Sequence, residues 1–181
     1  DVVEVGASLA MILEYVEGPT MEDWLDSNPG AKGHAETVAL MAPVMSAMAY
    51  AHKRKVVHRD LKPANVLMKN MADGSFQPKV TDFGLVKVLE DSSGMTRTGA
   101  MMGTPPYMAP EQAAGDKQID ARADVFALGV MGWQILNGRL PADPRKFSQI
   151  ADFYAGRLDF SQSRGGLNSV FLQAISIRID D

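Results

Sequence analysis

A chain of 181 residues with 46% hydrophobic and 22% charged content has the size and make-up of one globular domain that buries a sizeable core. Its formal net charge of −4 gives no electrostatic footing for nucleic acid or an anionic membrane. With no cysteine it has neither a disulfide framework nor a thiolate metal site, which suits a reducing cytoplasm.

The chain opens Asp1-Val2-Val3-Glu4, without the basic region of a signal peptide and without an initiator Met, so a fragment of a longer parent is expected. Asp1 to Gly6 and Leu9 to Tyr15 predict two strands around the turn Gly6-Ala7-Ser8. Gly18-Pro19 breaks the chain. Thr20, with Asp23 three residues on, is the expected N-cap of a short helix from Met21 to Asp26. His34 to Lys53 carries Val38, Met41, Met45, Met48 and Ala49 at helical spacing, with Pro43 inside it to kink the helix or remove a hydrogen bond. The most apolar run, Val38 to Ala51, is shorter than the roughly 18 residues of a membrane span. This segment is expected to make no membrane contact and to lie in the cytoplasm, with any anchor elsewhere in the parent.

Val66 to Lys69 and Pro78 to Thr81 predict a hairpin about Asp73-Gly74, a pair suited to positive φ. Leu85 to Pro110, rich in Ser, Thr, Gly and Met, predicts a long functional loop. Asp124 to Asn137 is the strongest helix, with Val125, Leu128, Gly129, Gly132 and Ile135 on one face and Gly138 and Pro141 to stop it. Phe147 to Tyr154 and Val170 to Ile179 predict two more helices.

Three motifs stand out in order: His58-Arg59-Asp60-Leu61-Lys62-Pro63-Ala64-Asn65, then Asp82-Phe83-Gly84, then Gly103-Thr104-Pro105-Pro106-Tyr107-Met108-Ala109-Pro110-Glu111. Alone, a tripeptide such as Asp-Phe-Gly is a common turn. Together they have the form of the protein-kinase signature. On these residues the chain resembles protein serine/threonine kinases, in particular the bacterial eukaryotic-like (Hanks) type, from Asp1 to its last residue. The resemblance implies an α+β protein-kinase-like fold, a mostly helical large lobe plus the last strands of the small lobe. Residues 1–18 would be the end of the small lobe and the hinge, and residues 19–181 a large lobe incomplete at its C-terminus.

Phosphoryl transfer needs the acceptor hydroxyl held in line, its proton accepted and the phosphate charge neutralised. Asp60 is the candidate base, and Lys62 places a cation near the transferring phosphate. Asn65 and Asp82 are hard oxygen donors suited to Mg²⁺, and Gly84 lets the backbone reverse beside Asp82. In the family His58 packs beneath Phe83, whereas His34 and His52 read as surface and helix-end residues. Three dispersed histidines make no zinc site. Lys62 within Leu-Lys-Pro-Ala, and Thr104, resemble serine/threonine rather than tyrosine kinases; Thr104 would bridge Asp60 and Lys62. Arg59 would pair with a phosphate on the activation segment, where Thr96 and Thr98 flank Arg97 like autophosphorylated threonines. Plain polar loop residues are the other reading of Ser92, Ser93, Thr96 and Thr98.

Leu13-Glu14-Tyr15-Val16 resembles a strand end and hinge. Leu13 would be the gatekeeper, the Glu14 carbonyl and Val16 amide would bond the adenine edge, and Leu67 would pack under the base. Plain hydrophobic core is the alternative for Leu13, Val16 and Leu67. Asp124 resembles a buried aspartate that holds the catalytic-loop backbone, with a simple N-cap as the alternative. The chain contains no Gly-x-Gly-x-x-Gly loop and no Val-Ala-Ile-Lys strand. Glu111 would pair in the family with an arginine beyond Asp181, with Arg122 or Arg178 as substitutes. The expected function is the catalytic-lobe portion of an ATP- and Mg²⁺-dependent serine/threonine kinase that acts on a protein hydroxyl and not on nucleic acid. The chain alone is expected to transfer phosphate poorly. The alternative is a pseudokinase or scaffold module lacking the phosphate-clamping lysine.

Overall fold

The structure is a computed structural model that describes residues 2–6, 8–83, 105–158, 160 and 166–176. Strands β1 (Val2–Val5) and β2 (Ser8–Met11) pair antiparallel, with Val2 opposite Met11 and Val5 opposite Ser8. Gly6 takes φ +64° in the turn between them. The second strand stops at Met11 rather than reaching Tyr15.

The chain next runs along a second sheet. This hairpin is β3 (Val66–Asn70) and β4 (Phe76–Val80), with Val66 opposite Val80 and Asn70 opposite Phe76. Its turn is the Asp73-Gly74 pair: Gly74 has φ +80°, and Asp73 Oδ1 accepts from Ser75 N and Ser75 Oγ at 2.9 and 2.6 Å. Residues 17–20 lie against β3, where Asn70 N donates to Glu17 O at 3.0 Å and Met68 N to Pro19 O at 2.8 Å. Gly18 is required in that seam. At its φ of +152° a Cβ would lie 1.8 Å from Met68 O.

Helix α1 (Met21–Ser27) starts at the predicted cap, as Thr20 Oγ1 accepts from Asp23 N at 3.1 Å and Thr20 N donates to Asp23 Oδ2 at 3.3 Å. Helix α2 (His34–Lys53) spans the predicted residues with Pro43 inside it. Its buried stripe is Thr37, Leu40, Met41, Val44, Met48 and Ala51. Val38, Met45 and Ala49, expected on that face, are exposed. Apolar residues surround this helix on several sides, so their spacing alone does not choose the buried side.

A four-residue helix, α3 (Pro110–Ala113), precedes α4 (Ala121–Asn137). Asp120 caps α4, its Oδ1 accepting from Arg122 N at 2.8 Å. The helix therefore begins before Asp124, and the N-cap alternative for Asp124 falls. Gly138, at φ +68°, ends it in the left-handed conformation. Buried from Ala123 to Leu136 except at Val125 and Gln134, α4 is the post on which α2 and α6 (Leu167–Ile175) pack. Gly132 and Gly129 permit the approach of α6: a Cβ on Gly132 would meet Phe171 Cε1 at 2.2 Å, and one on Gly129 would meet Ala174 Cβ at 2.9 Å. Helix α5 (Phe147–Tyr154) matches its predicted span, while α6 starts ahead of the predicted Val170. Met21, Met41, Met48, Met68 and Met131 fill much of the core, where flexible thioethers suit irregular gaps. Among the described residues no helix is long and apolar enough to cross a membrane.

Candidate active site

The loop from His58 to Lys62 hangs from α4 by one carboxylate. Asp124, 1% exposed, accepts from His58 N through Oδ2 and from Arg59 N through Oδ1, both at 2.9 Å. His52 Nε2 lies 2.7 Å from the same Oδ2. His52 is the helix-end residue expected, in the last turn of α2, and from there it also completes the coordination of Asp124. A buried carboxylate shared among three donors is compensated for its desolvation.

Arg59, so suspended, takes φ +66°. Such conformers cost of order 1–3 kcal/mol and persist where the surroundings over-determine them. The next residue is Asp60. Its Oδ2 receives Lys62 Nζ at 3.0 Å and Asn65 Nδ2 at 3.3 Å, and Asn65 Nδ2 also donates to Asp60 O at 2.8 Å. A 3₁₀ turn, Pro63–Asn65, with proline in its first position brings Asn65 back beneath Asp60.

His58 joins this loop to the second motif. Its ring is fully buried, with Nε2 2.8 Å from Thr81 O. A carbonyl only accepts, so Nε2 carries the hydrogen and Nδ1 is left to accept from Asp60 N at 3.3 Å. The ring packs on Phe83 at 4.8 Å between centroids, the contact that the family resemblance implies. Thr81 N donates to Asn65 O at 3.0 Å, which sets Asp82 beside Asn65. Asp82 is exposed and takes φ +55°.

These residues fit a magnesium ion by their chemistry. Asn65 commits its amide nitrogen to Asp60, so its Oδ1 is available as a ligand, and Asp82 offers an exposed carboxylate. Mg²⁺ prefers such a sparse set, completed by phosphate oxygens and water. No cluster of three His, Asp or Glu occurs among the described residues, so a dedicated all-protein metal cage is absent there.

In the stretch read as a hinge, Leu13 is 59% exposed. Val16 and Leu67 are half-buried, and Leu67 lies on the β3 face opposite the buried Val66 and Met68. A bridge between Thr20 and Leu67 brings the chain just before α1 against Leu67. The Glu14 carboxylate is exposed and bonded by Lys79 and Lys69, whose ammonium groups hold it below the usual carboxylate range. Neither the Glu14 carbonyl nor the Val16 amide has a backbone partner among the described residues.

The segment 105–112 closes the other side. Tyr107 OH donates to Gln134 Oε1 at 2.6 Å and Tyr154 OH to Met108 O at 3.1 Å. Burial pushes the Tyr154 phenol up to about 12. It raises Tyr107 too, with a further contribution from the charge of Glu22. Gln112 Nε2 reaches back to Arg59 O at 2.7 Å, a link with no signal in the local sequence. Glu111 is 9% exposed, and Arg122, offered as its substitute partner, pairs with Asp120 at 3.2 Å among its interactions. Gly84, Thr96, Thr98, Thr104 and Arg178 lie outside the described residues.

The family model of the protein kinase domain matches residues 1–162. Among curated proteins, the chain is 38% identical to serine/threonine-protein kinase PkaA of Streptomyces coelicolor, over 84% of this chain and 30% of that protein. It is 37% identical to serine/threonine-protein kinase PrkC of Bacillus subtilis, over 78% of this chain and 21% of that protein. It is likewise 37% identical to serine/threonine-protein kinase PknB of Mycobacterium leprae, over 72% of this chain and 20% of that protein. The matched region thus spans less than a third of the length of each of these relatives.

Proposed function

The chain belongs to the protein kinase family, in its α+β fold, and we propose that its site transfers the γ-phosphate of ATP to a serine or threonine hydroxyl of a protein. The observation that carries this reading is the Asp60 carboxylate, held by Lys62 Nζ and Asn65 Nδ2 at the end of a loop whose backbone is fixed from α4. Asp60 accepts a hydrogen bond from the acceptor hydroxyl, aligns its oxygen with the phosphorus and takes its proton as the bond forms. Lys62, already paired with Asp60, supplies positive charge where negative charge gathers on the phosphoryl oxygens. Asn65 Oδ1 and Asp82 would hold Mg²⁺, which when bound neutralises phosphate charge. The adenine edge meets the Glu14 carbonyl and the Val16 amide, with Leu67 against the face of the base. Intact Asp60, Lys62, Asn65 and Asp82 favour catalysis over a scaffold role.

Asp60→Asn, made in the natural protein that carries this chain, is the test. Transfer of radiolabelled phosphate to a basic protein should fall by at least about a hundredfold, because the general base is lost. The dissociation constant for ATP with Mg²⁺ should stay within about twofold. Near-wild-type transfer by the variant would refute the assignment.

A further inference from the structure

Gln112 belongs to none of the motifs, yet its side chain ties two of them together. Its Oε1 accepts from Ala109 N at 3.1 Å, which closes the first turn of α3, and its Nε2 donates to Arg59 O at 2.7 Å. Arg59 stands at φ +66°, and its N–H is taken by Asp124 Oδ1 at 2.9 Å. The peptide unit that follows Arg59 ends in the N–H of Asp60, which faces His58 Nδ1 at 3.3 Å. The plane of that peptide is therefore set at its carbonyl by Gln112 and at its N–H by His58. Release of either anchor would let the backbone dihedrals at Arg59 and Asp60 relax and so move the carboxylate from Lys62 and Asn65.

The chemistry selects glutamine. One acceptor and one donor are needed on a single side chain, at a reach that spans from α3 to the loop. Glutamate keeps the acceptor but has no donor when ionised, and asparagine is shorter by a methylene. A left-handed non-glycine residue directly before the candidate base also requires its surroundings to hold it in place.

We propose that Gln112 is a positioning residue for Asp60: its amide fixes the Arg59–Asp60 peptide and couples the segment 105–112 to the catalytic loop. A shift of that segment would then release the base without touching a metal ligand. The inference rests on the reading of Asp60 as the base.

The test uses Gln112→Glu and Gln112→Met in the natural protein, beside wild type and Asp60→Asn. Glutamate preserves the bond from Ala109 N and places a carboxylate oxygen against Arg59 O; methionine keeps length and packing without either bond. For Gln112→Glu, kcat should fall about tenfold while the KM for ATP holds and the melting midpoint drops by only a few degrees. Gln112→Met should lose kcat to a similar extent. The Asp60 amide should exchange its hydrogen about tenfold faster in both variants, a readout independent of turnover. Wild-type kcat and unchanged exchange in both variants would overturn the proposal. So would a kcat loss accompanied by unchanged exchange at Asp60 and a lowered melting midpoint, which marks a purely structural role. Absent transfer by wild type, or full transfer by Asp60→Asn, would count against the proposed function instead, and exchange at Asp60 would still decide the role of Gln112.

Discussion

Replacing Asp124 should damage the catalytic loop from a position that touches no substrate. The carboxylate is 1% exposed and receives His58 N, Arg59 N and His52 Nε2 at 2.9, 2.9 and 2.7 Å. Asparagine keeps the shape but only one acceptor oxygen. Placed at the Oδ2 position, that oxygen retains two partners and turns an NH₂ group against Arg59 N; placed at Oδ1, it loses the other two. The first arrangement is cheaper and removes one charge-assisted bond, a cost of about 2–3 kcal/mol once the donor–donor contact is included. Alanine strands both loop amides, and His52, 19% exposed along its side chain, recovers water. That variant should lose about 3–5 kcal/mol. For a domain of this size the asparagine cost corresponds to a melting midpoint lower by roughly 4–12 °C. Phosphotransfer should fall further than stability, because the N–H released belongs to the residue at φ +66° beside Asp60. Thermal melts and steady-state phosphotransfer on the natural protein measure the two effects. An asparagine variant that melts within about 2 °C of wild type and keeps its kcat would refute the argument.

Gly132→Ala should destabilise by about 1–2 kcal/mol, the overpacking of a Cβ placed 2.2 Å from Phe171 Cε1 less the helix propensity gained. The double variant with Phe171→Leu should recover part of that loss in thermal melts; no recovery would place the cost elsewhere. Tyr154, pushed up to about 12 by burial, should make the fold alkali-sensitive. The folded phenol holds its proton above the ordinary value of about 10, so its contribution is complete below that pH and is lost as pH climbs toward about 12. Tyr154→Phe should flatten the decline of the melting midpoint over that interval. An alkaline profile identical to wild type would contradict the burial argument.

The candidate catalytic residues stood out in the sequence because they fall in short windows. Asp60, Lys62 and Asn65 lie within one turn of chain and bond one another directly. The Thr20 cap, the Asp73-Gly74 turn and the Gly138 stop were equally local, each a matter of one side chain or one φ angle. Long-range choices were legible only where the family resemblance supplied them, as for Asp124 and for His58 on Phe83. On α2, Val38, Met45 and Ala49 were expected inward with Met41 and Met48, but the buried side is Leu40, Met41, Val44 and Met48. Only the position of a partner helix separates those two faces. The start of α4 was misplaced to Asp124, since a charged residue ahead of an apolar run looks like a cap. The hold of Asp124 on the catalytic-loop backbone was legible only through the family resemblance, and the bonds from His58 N and Arg59 N agree with it.

Arg59 and Asp82 both occupy the left-handed region, and neither is glycine. One precedes the candidate base and the other is a candidate magnesium ligand, so backbone strain of order 1–3 kcal/mol falls at each half of the site. The bonds that hold Arg59 there come from α4 and α3, far along the chain. His58 connects the two strained positions, because its ring bonds the Thr81 carbonyl just before Asp82 and accepts from the amide of Asp60. The motif residues therefore carry the donor and acceptor atoms, while His52, Asp124 and Gln112 help carry their orientation. Kinase chemistry depends almost wholly on positioning and electrostatics rather than covalent assistance. Loss of these orienting residues should accordingly show first in kcat, with the affinity for nucleotide left in place.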